Sequence, residues 1–282
     1  CMISVMALDS LLDIQPYMLP AAENSTKWYR SLGIGINNLA YFLAKRGLSY
    51  DSDEETLSEV HKYAEAQQYF LTKASIELAK RYGAFSKIED TVYSDGKFTW
   101  ENYKTTVNEL VEHNLYFDWE VLREDLVKYG IRNSTLSAQM PSETSSKISN
   151  MTNGVEPVRA LINTKGGSTF VVPGYNEFKN NYVSEWDIDL AGYIKVLAVI
   201  QKFLDQAISL QTRYDPTQYP ESIIPASTIL NHINMCLKYG LKTMYYQNNR
   251  QVNDENQVYD EMQQPDNQDE ELSGCGDGGC II

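Results

Sequence analysis

Apolar residues recur at helical spacing through much of this chain, and the gaps between the periodic blocks carry helix caps and turn residues. Met2, Val5, Met6 and Leu12 fall near one face of an amphipathic helix over Met2–Leu12. Leu32-Gly33-Ile34-Gly35-Ile36 is a short apolar segment, a strand or a tight turn into a helix over Asn37–Arg46 that Gly47 caps. Ser52-Asp53-Glu54-Glu55 reads as a capping box and opens a long helix to about Tyr82, ended by Gly83. Asp118 caps a helix over Trp119–Tyr129, with Gly130 behind it. Arg159–Asn163 and Thr169–Val172 flank Lys165-Gly166-Gly167 and predict a hairpin. Ile188–Leu210 predicts a helix of about six turns. Ser227–Tyr239 predicts another, ended by Gly240, and Leu241–Tyr246 a short strand.

Short strands that each follow a helix predict an α/β architecture. The predicted strands are too few to close a sheet of their own. Past Arg250 the composition shifts to Gln, Asn, Asp and Glu, so residues 1–250 are expected to form the folded part and 251–282 a flexible, disordered acidic tail. Cys1 leads straight into a helical pattern, as expected of a processed chain or of a piece of something longer.

Composition narrows the function. Of the net charge of −14, nine acidic residues and no Lys or Arg lie between Gln251 and Ile282, which leaves the rest near −5. Neither value suits a nucleic-acid binder, which needs a basic face. No apolar run approaches the roughly 18 residues of a membrane span, and no signal-peptide pattern opens the chain. Four cysteines in 282 residues are not a secreted disulfide scaffold, so a reducing cytoplasm is expected.

Three constellations could carry chemistry. Cys275 and Cys280 sit on a glycine-rich thread, Cys275-Gly276-Asp277-Gly278-Gly279-Cys280, where the backbone is free to bring the sulfurs together. Such a pair is either a mobile dithiol that carries electrons or two incidental cysteines. Ser142-Glu143-Thr144-Ser145-Ser146 follows Pro141 and opens a short helix. Its first-turn amides and hydroxyls could cradle a phosphate, or simply cap the helix. Tyr245 and Tyr246 are adjacent and pass an electron and a proton if their rings overlap; otherwise they belong to a strand in a chain with 20 tyrosines. His61, His113 and His232 do not cluster, so no metal site is expected. Cys236 reads as a small buried apolar residue.

Taken together, these segments resemble the large, catalytic subunit of class I ribonucleotide reductase. The matching stretches are Leu32-Gly33-Ile34-Gly35 with Tyr41-Phe42-Leu43-Ala44-Lys45, and Arg132-Asn133-Ser134-Thr135 through Met140-Pro141-Ser142-Glu143-Thr144-Ser145-Ser146. They continue in Asn153-Gly154-Val155-Glu156-Pro157, in Lys242-Thr243-Met244-Tyr245-Tyr246-Gln247-Asn248, and in the terminal cysteine pair. The resemblance covers only the C-terminal part of that subunit. It implies the later strands of a ten-stranded α/β barrel, helix-rich and followed by the tail. It implies that Ser142, Glu143, Thr144 and Ser145 line the diphosphate end of a ribonucleotide site. It implies that Tyr245 and Tyr246 relay a radical, and that Cys275 and Cys280 reduce an active-site disulfide and are reduced by thioredoxin or glutaredoxin. No cofactor is expected on this chain: the di-iron radical centre belongs to the small (beta) subunit and the ATP and dATP effector sites to the upstream part. The radical cysteine and its companions also lie upstream in the family, so the chain is expected to be inactive alone, as one half of a split protein or the flank of an intein would be. A different class of function, a non-catalytic assembly module, would explain the shape but not the dithiol.

Overall fold

The computed structural model describes residues 1–112, 114–165 and 168–250. Helices α1 (Met2–Ile14), α2 (Pro20–Tyr29), α3 (Leu39–Arg46), α4 (Glu54–Tyr82), α5 (Trp119–Tyr129) and α6 (Glu143–Ile148) come first. The hairpin β1 (Ile162–Lys165) and β2 (Ser168–Val171) follows, then α7 (Tyr175–Phe178), α8 (Leu190–Phe203), β3 (Gln211–Tyr214), α9 (Ala226–Tyr239) and β4 (Tyr246–Asn249).

The helix ends the sequence marks most clearly are locally encoded. Asp53 accepts from the Thr56 amide at 2.6 Å and opens α4, and Asp118 accepts from the Glu120 and Val121 amides to open α5. The cap of α4 is Asp53 alone rather than a reciprocal box, with Ser52 in a left-handed conformation before it. Gly240 ends α9 at φ 82°. The hairpin forms, Ile162 pairing with Val171 and Asn163 with Phe170, but its first strand runs Ile162–Lys165 rather than Arg159–Asn163.

The core lies between α4, α8 and a parallel sheet. Along α8, Ile194, Val196, Leu197, Ala198, Val199 and Ile200 are all fully buried, so this helix is covered all round. One of its faces packs on α4, a helix whose Leu57, Val60, Ala64 and Leu71 are buried. Each such aliphatic side chain contributes about 1.5–3 kcal/mol by leaving water.

The sheet is wider than its two regular strands. Leu32 and Ile34 donate to the carbonyls of Thr135 and Leu136, and Ala138 donates back to Ile34. Gln139 donates to Ala207, Ser209 to Gln139, and Tyr245 to Leu210, and β3 then pairs in parallel with β4, Gln211 opposite Tyr246. Four parallel segments, 32–36, 135–139, 206–214 and 245–249, thus lie side by side. The strands pack closely at Gly35, where an added Cβ would sit 2.9 Å from the Ala138 carbonyl. Among the described residues the sheet does not close into a barrel.

Two further expectations are corrected. The helix expected over Ile188–Leu210 stops at Phe203. Asp205 is pulled out of helical register to accept from the Leu136 amide at 2.7 Å, the Ser137 amide, Gln68 Nε2 and Thr99 Oγ1, and the chain runs on as a sheet segment. The strand expected over Leu241–Tyr246 starts only at Tyr246, because its hydrogen-bonding partner is Gln211–Tyr214. Helix α2 and the 3-10 turns between Ile88 and Glu109 went unmarked, and neither has a sustained apolar period.

Candidate functional site

Segment 135–139 delivers the chain into the Ser/Thr-rich turn, and a second loop holds that turn open. The Asn153 Oδ1 accepts from the amide of Ser142 at 2.6 Å and from that of Glu143 at 3.1 Å. Asn153 therefore caps α6 from outside, in place of the usual side chain at the cap position itself. Ser142 Oγ donates to Asn37 Oδ1 and accepts from the Gly154 amide at 3.1 Å. Asn38 and Thr152 exchange bonds next to it. Gly154 sits at φ 48°, and a Cβ there would meet Gln139 Nε2 at 3.0 Å, so the loop needs glycine at this point.

The capping leaves the next amides of α6, those of Thr144 and Ser145, as the orphan donors of a helix start. Both side chains are exposed, and Ser145 Oγ bonds back to the Ser142 carbonyl at 2.7 Å. Glu143 takes φ 22°, rare for a non-glycine residue, and its carboxylate is drawn to Asn153 Nδ2 at 3.4 Å. Behind the turn lies a cavity of about 120 Å³, walled by Glu143, Asn153, Glu156, Arg159, Phe170 and Val172 among others.

Tyr245 and Tyr246 come together on the other flank of the same sheet. Their ring centroids are 4.2 Å apart at 51°, closer than most aromatic pairs, and the rings are 55% and 56% exposed. Neighbouring strand residues ordinarily point to opposite faces. Tyr245 precedes the regular strand, and that position lets the two rings meet. Register relates the two features. Gln139 pairs with Ile208 and Gln211 with Tyr246, so Ser142 and Tyr246 each lie three residues beyond the Gln139–Ile208 bridge toward the carboxyl ends. One intervening segment separates segment 135–139 from β4, on the order of 10 Å across the sheet. The carboxyl ends of parallel strands are where α/β folds place their ligands.

Between them is a buried charge cluster that sequence reading missed. Arg213, 1% exposed at its side chain, donates to Glu185 at 2.5 Å and places Nη2 3.1 Å from Glu156 Oε2. Glu156 also accepts from Asn153 Nδ2 at 3.1 Å, and Arg159 reaches Glu185 at 3.5 Å. Burial pushes the Glu156 carboxyl above its ordinary range, against the opposing pull of Arg213. The Asn-Gly-Val-Glu-Pro run was visible in the sequence, but nothing local joined Glu156 to Arg213, which lies 57 positions away (213 − 156).

Other candidates stay apart. Cys236 is buried in α9, where burial pushes its thiol up to about 11. His61 is buried in the aromatic core, and His232 shares a 3.1 Å contact with the Tyr214 hydroxyl. Among the described residues no group of His, Cys, Asp and Glu could hold a metal ion, and no helix is long and apolar enough to cross a membrane. Cys275, Cys280 and His113 lie outside the described residues.

A family model described as "Ribonucleotide reductase, barrel domain" matches residues 1–173 and 171–247. The chain is 43% identical, over 99% of its length, to the "Ribonucleoside-diphosphate reductase subunit alpha" of Haemophilus influenzae. It is 42% identical over 96% to the "Ribonucleoside-diphosphate reductase 1 subunit alpha" of Escherichia coli K12, and 38% over 88% to the alpha subunit of Enterobacteria phage T4. The matches cover 36%, 35% and 33% of those proteins, so the chain spans about a third of the length of these relatives.

Proposed function

The chain belongs to the ribonucleotide reductase barrel-domain family, and on that premise we propose that it supplies the C-terminal part of a ribonucleoside-diphosphate reductase alpha subunit, including the later strands of a ten-stranded barrel. The observation that carries this reading is the tyrosine pair in ring contact, one strand removed from the segment that leads into the Ser/Thr turn. The Thr144 and Ser145 amides, with the Thr144 hydroxyl, receive the substrate's diphosphate, and the Ser142 and Ser145 hydroxyls, bonded to Asn37 and to the Ser142 carbonyl, shape the turn around it. The Glu143 carboxylate, tethered to Asn153, stays off the anion. Tyr245 and Tyr246 each pass one electron and one proton between the radical centre of the beta subunit and a cysteine on the upstream part. Effector nucleotides, ATP and dATP, bind on that upstream part as well.

The described surface supports a missing neighbour. The outer edge of segment 32–36 has no partner strand among the described residues. Ile3, Ile14, Met18 and Leu19 are exposed on and after α1, Met18 at 97%. An apolar surface of this kind is usually covered. The expected result is no ribonucleoside diphosphate reduction by the chain alone or with the beta subunit, and turnover once the upstream part is added. A radioassay of each component singly and in mixtures checks it. Turnover without the upstream part would overturn the reading, and a mixture that assembles but never reduces substrate would favour the assembly module.

The tail cysteines complete the cycle. Cys275 and Cys280 together give two electrons and two protons to the active-site disulfide by thiol–disulfide exchange, becoming a disulfide that thioredoxin or glutaredoxin reduces again. Replacing both by Ser is expected to stop thioredoxin-driven turnover and to leave one round from pre-reduced enzyme, read as product per active site in a rapid-quench experiment. Loss of that first round would assign the pair another role.

A further inference from the structure

Asn153 stands at a junction. Its oxygen holds the first two amides of the Ser/Thr turn, at 2.6 and 3.1 Å, and its amide nitrogen holds Glu156 Oε2 at 3.1 Å. That same carboxylate oxygen lies 3.1 Å from Arg213 Nη2. Arg213 sits on β3 opposite Asn248 of β4, and Asn248 Nδ2 reaches back 3.1 Å to Gln211 Oε1, the residue opposite Tyr246. One unbroken set of contacts thus runs from the turn to the strand pair that carries the tyrosine.

We propose that Asn153 and Glu156 are positioning residues: Asn153 sets the Ser/Thr turn for the diphosphate, and Glu156 ties that turn to the strand bearing Tyr246. The inference rests on the functional reading above and adds to it residues that need touch neither substrate nor radical. The physical reason lies in the division of labour at Asn153. With Ser142 and Glu143 amides already satisfied, the anion is offered the next two donors only, and any shift of Asn153 changes which amides are free. A diphosphate that pulls the turn therefore pulls Asn153, and through Glu156 the Arg213 head. Contact alone does not establish coupling, so the discriminating quantity is how two variants divide their effects.

Asn153→Ala breaks the turn's support. Glu156→Gln keeps an oxygen for Asn153 but removes the charge that Arg213 faces. Inorganic pyrophosphate is the probe for the full chain, and ribonucleoside diphosphate for the enzyme assembled with its upstream part and beta subunit. Asn153→Ala should weaken pyrophosphate binding at least tenfold and raise KM by a similar factor, and, because it also cuts the tie to Glu156, lower kcat at least tenfold. Glu156→Gln should leave pyrophosphate affinity and KM within threefold and lower kcat at least tenfold. If Asn153→Ala does not fold, Asn153→Ser, uncharged and too short to hold both the Ser142 and Glu143 amides, should show the same tenfold loss of pyrophosphate binding. Unchanged pyrophosphate binding in the Asn153 variant, or the same division between KM and kcat in both variants, would overturn the proposal. A wild-type chain that binds no pyrophosphate and an assembled wild type without turnover would instead sink the functional reading itself.

Discussion

Tyr245→Phe and Tyr246→Phe, each made alone in the assembled enzyme, should cut turnover about 1,000-fold, roughly 4 kcal/mol on the barrier, with nucleotide affinity unchanged. The substitution removes one oxygen and keeps the ring, so the 4.2 Å ring contact and the strand register survive. What is lost is the O–H, the only part of the side chain that can give up an electron and a proton together. Both rings are more than half exposed, so each hydroxyl can exchange its hydrogen bonds with water. Its removal costs at most about 1 kcal/mol of stability, or roughly 2–4 °C in Tm for a body of this size. Steady-state turnover, thermal melting and equilibrium nucleotide binding on the same samples check the three parts of this statement. A variant that retains more than a tenth of wild-type turnover would reduce the pair to ordinary strand residues.

What could be read from the sequence was what short-range chemistry encodes. The openings of α4 and α5 are written in Asp53 and Asp118, which bond amides two or three residues away. The Ser/Thr turn and the tyrosine pair were visible because their residues are contiguous. The end of α8 was not, because the apolar pattern continues past Phe203 and only Asp205's bonds to Leu136, Ser137, Gln68 and Thr99 pull the chain straight. Helix α2 buries none of its residues, so no apolar stripe marks it, and its local signals are Pro20 at its first position and the Glu23–Lys27 pair one turn apart. The same division runs through the site. Asn153 and Glu156 belonged to a stretch that resembles the reductases, yet their partners Ser142 and Arg213 lie 11 and 57 positions off (153 − 142 and 213 − 156) and only folding brings them together.

Arg213→Met should be the most destabilising single change in this cluster, at about 3–5 kcal/mol, because it leaves buried carboxylates without their cation. That corresponds to a fall in Tm of roughly 6–20 °C. Methionine fills much of the volume, so the loss is one of charge rather than of packing. Arg213 is 1% exposed and Glu185 and Glu156 are 5% and 8% exposed at their side chains, so water cannot replace it. Arg159, 60% exposed and 3.5 Å from Glu185, compensates only at the edge. The pH dependence has a definite sign. Burial already holds the Glu156 carboxyl above its ordinary range while Arg213 pulls it down, so removing Arg213 raises it further. A carboxyl raised in the folded state binds more protons there than in the unfolded chain, and stability then falls as pH rises through the window between the two values. The variant should therefore melt higher near pH 5 than near pH 7, by a wider margin than wild type. Carboxyls held low, such as Glu101 and Asp215, act in the opposite direction but only below their ordinary range, so they leave this window clear. Adding Glu156→Gln and Glu185→Gln to Arg213→Met removes the stranded charges and should restore most of the loss and flatten the pH response. Melting curves of the three proteins between pH 5 and 8 decide the matter. A loss under about 1 kcal/mol, independent of pH, would mean that the carboxylates have other partners and that Arg213 does not hold the cluster together.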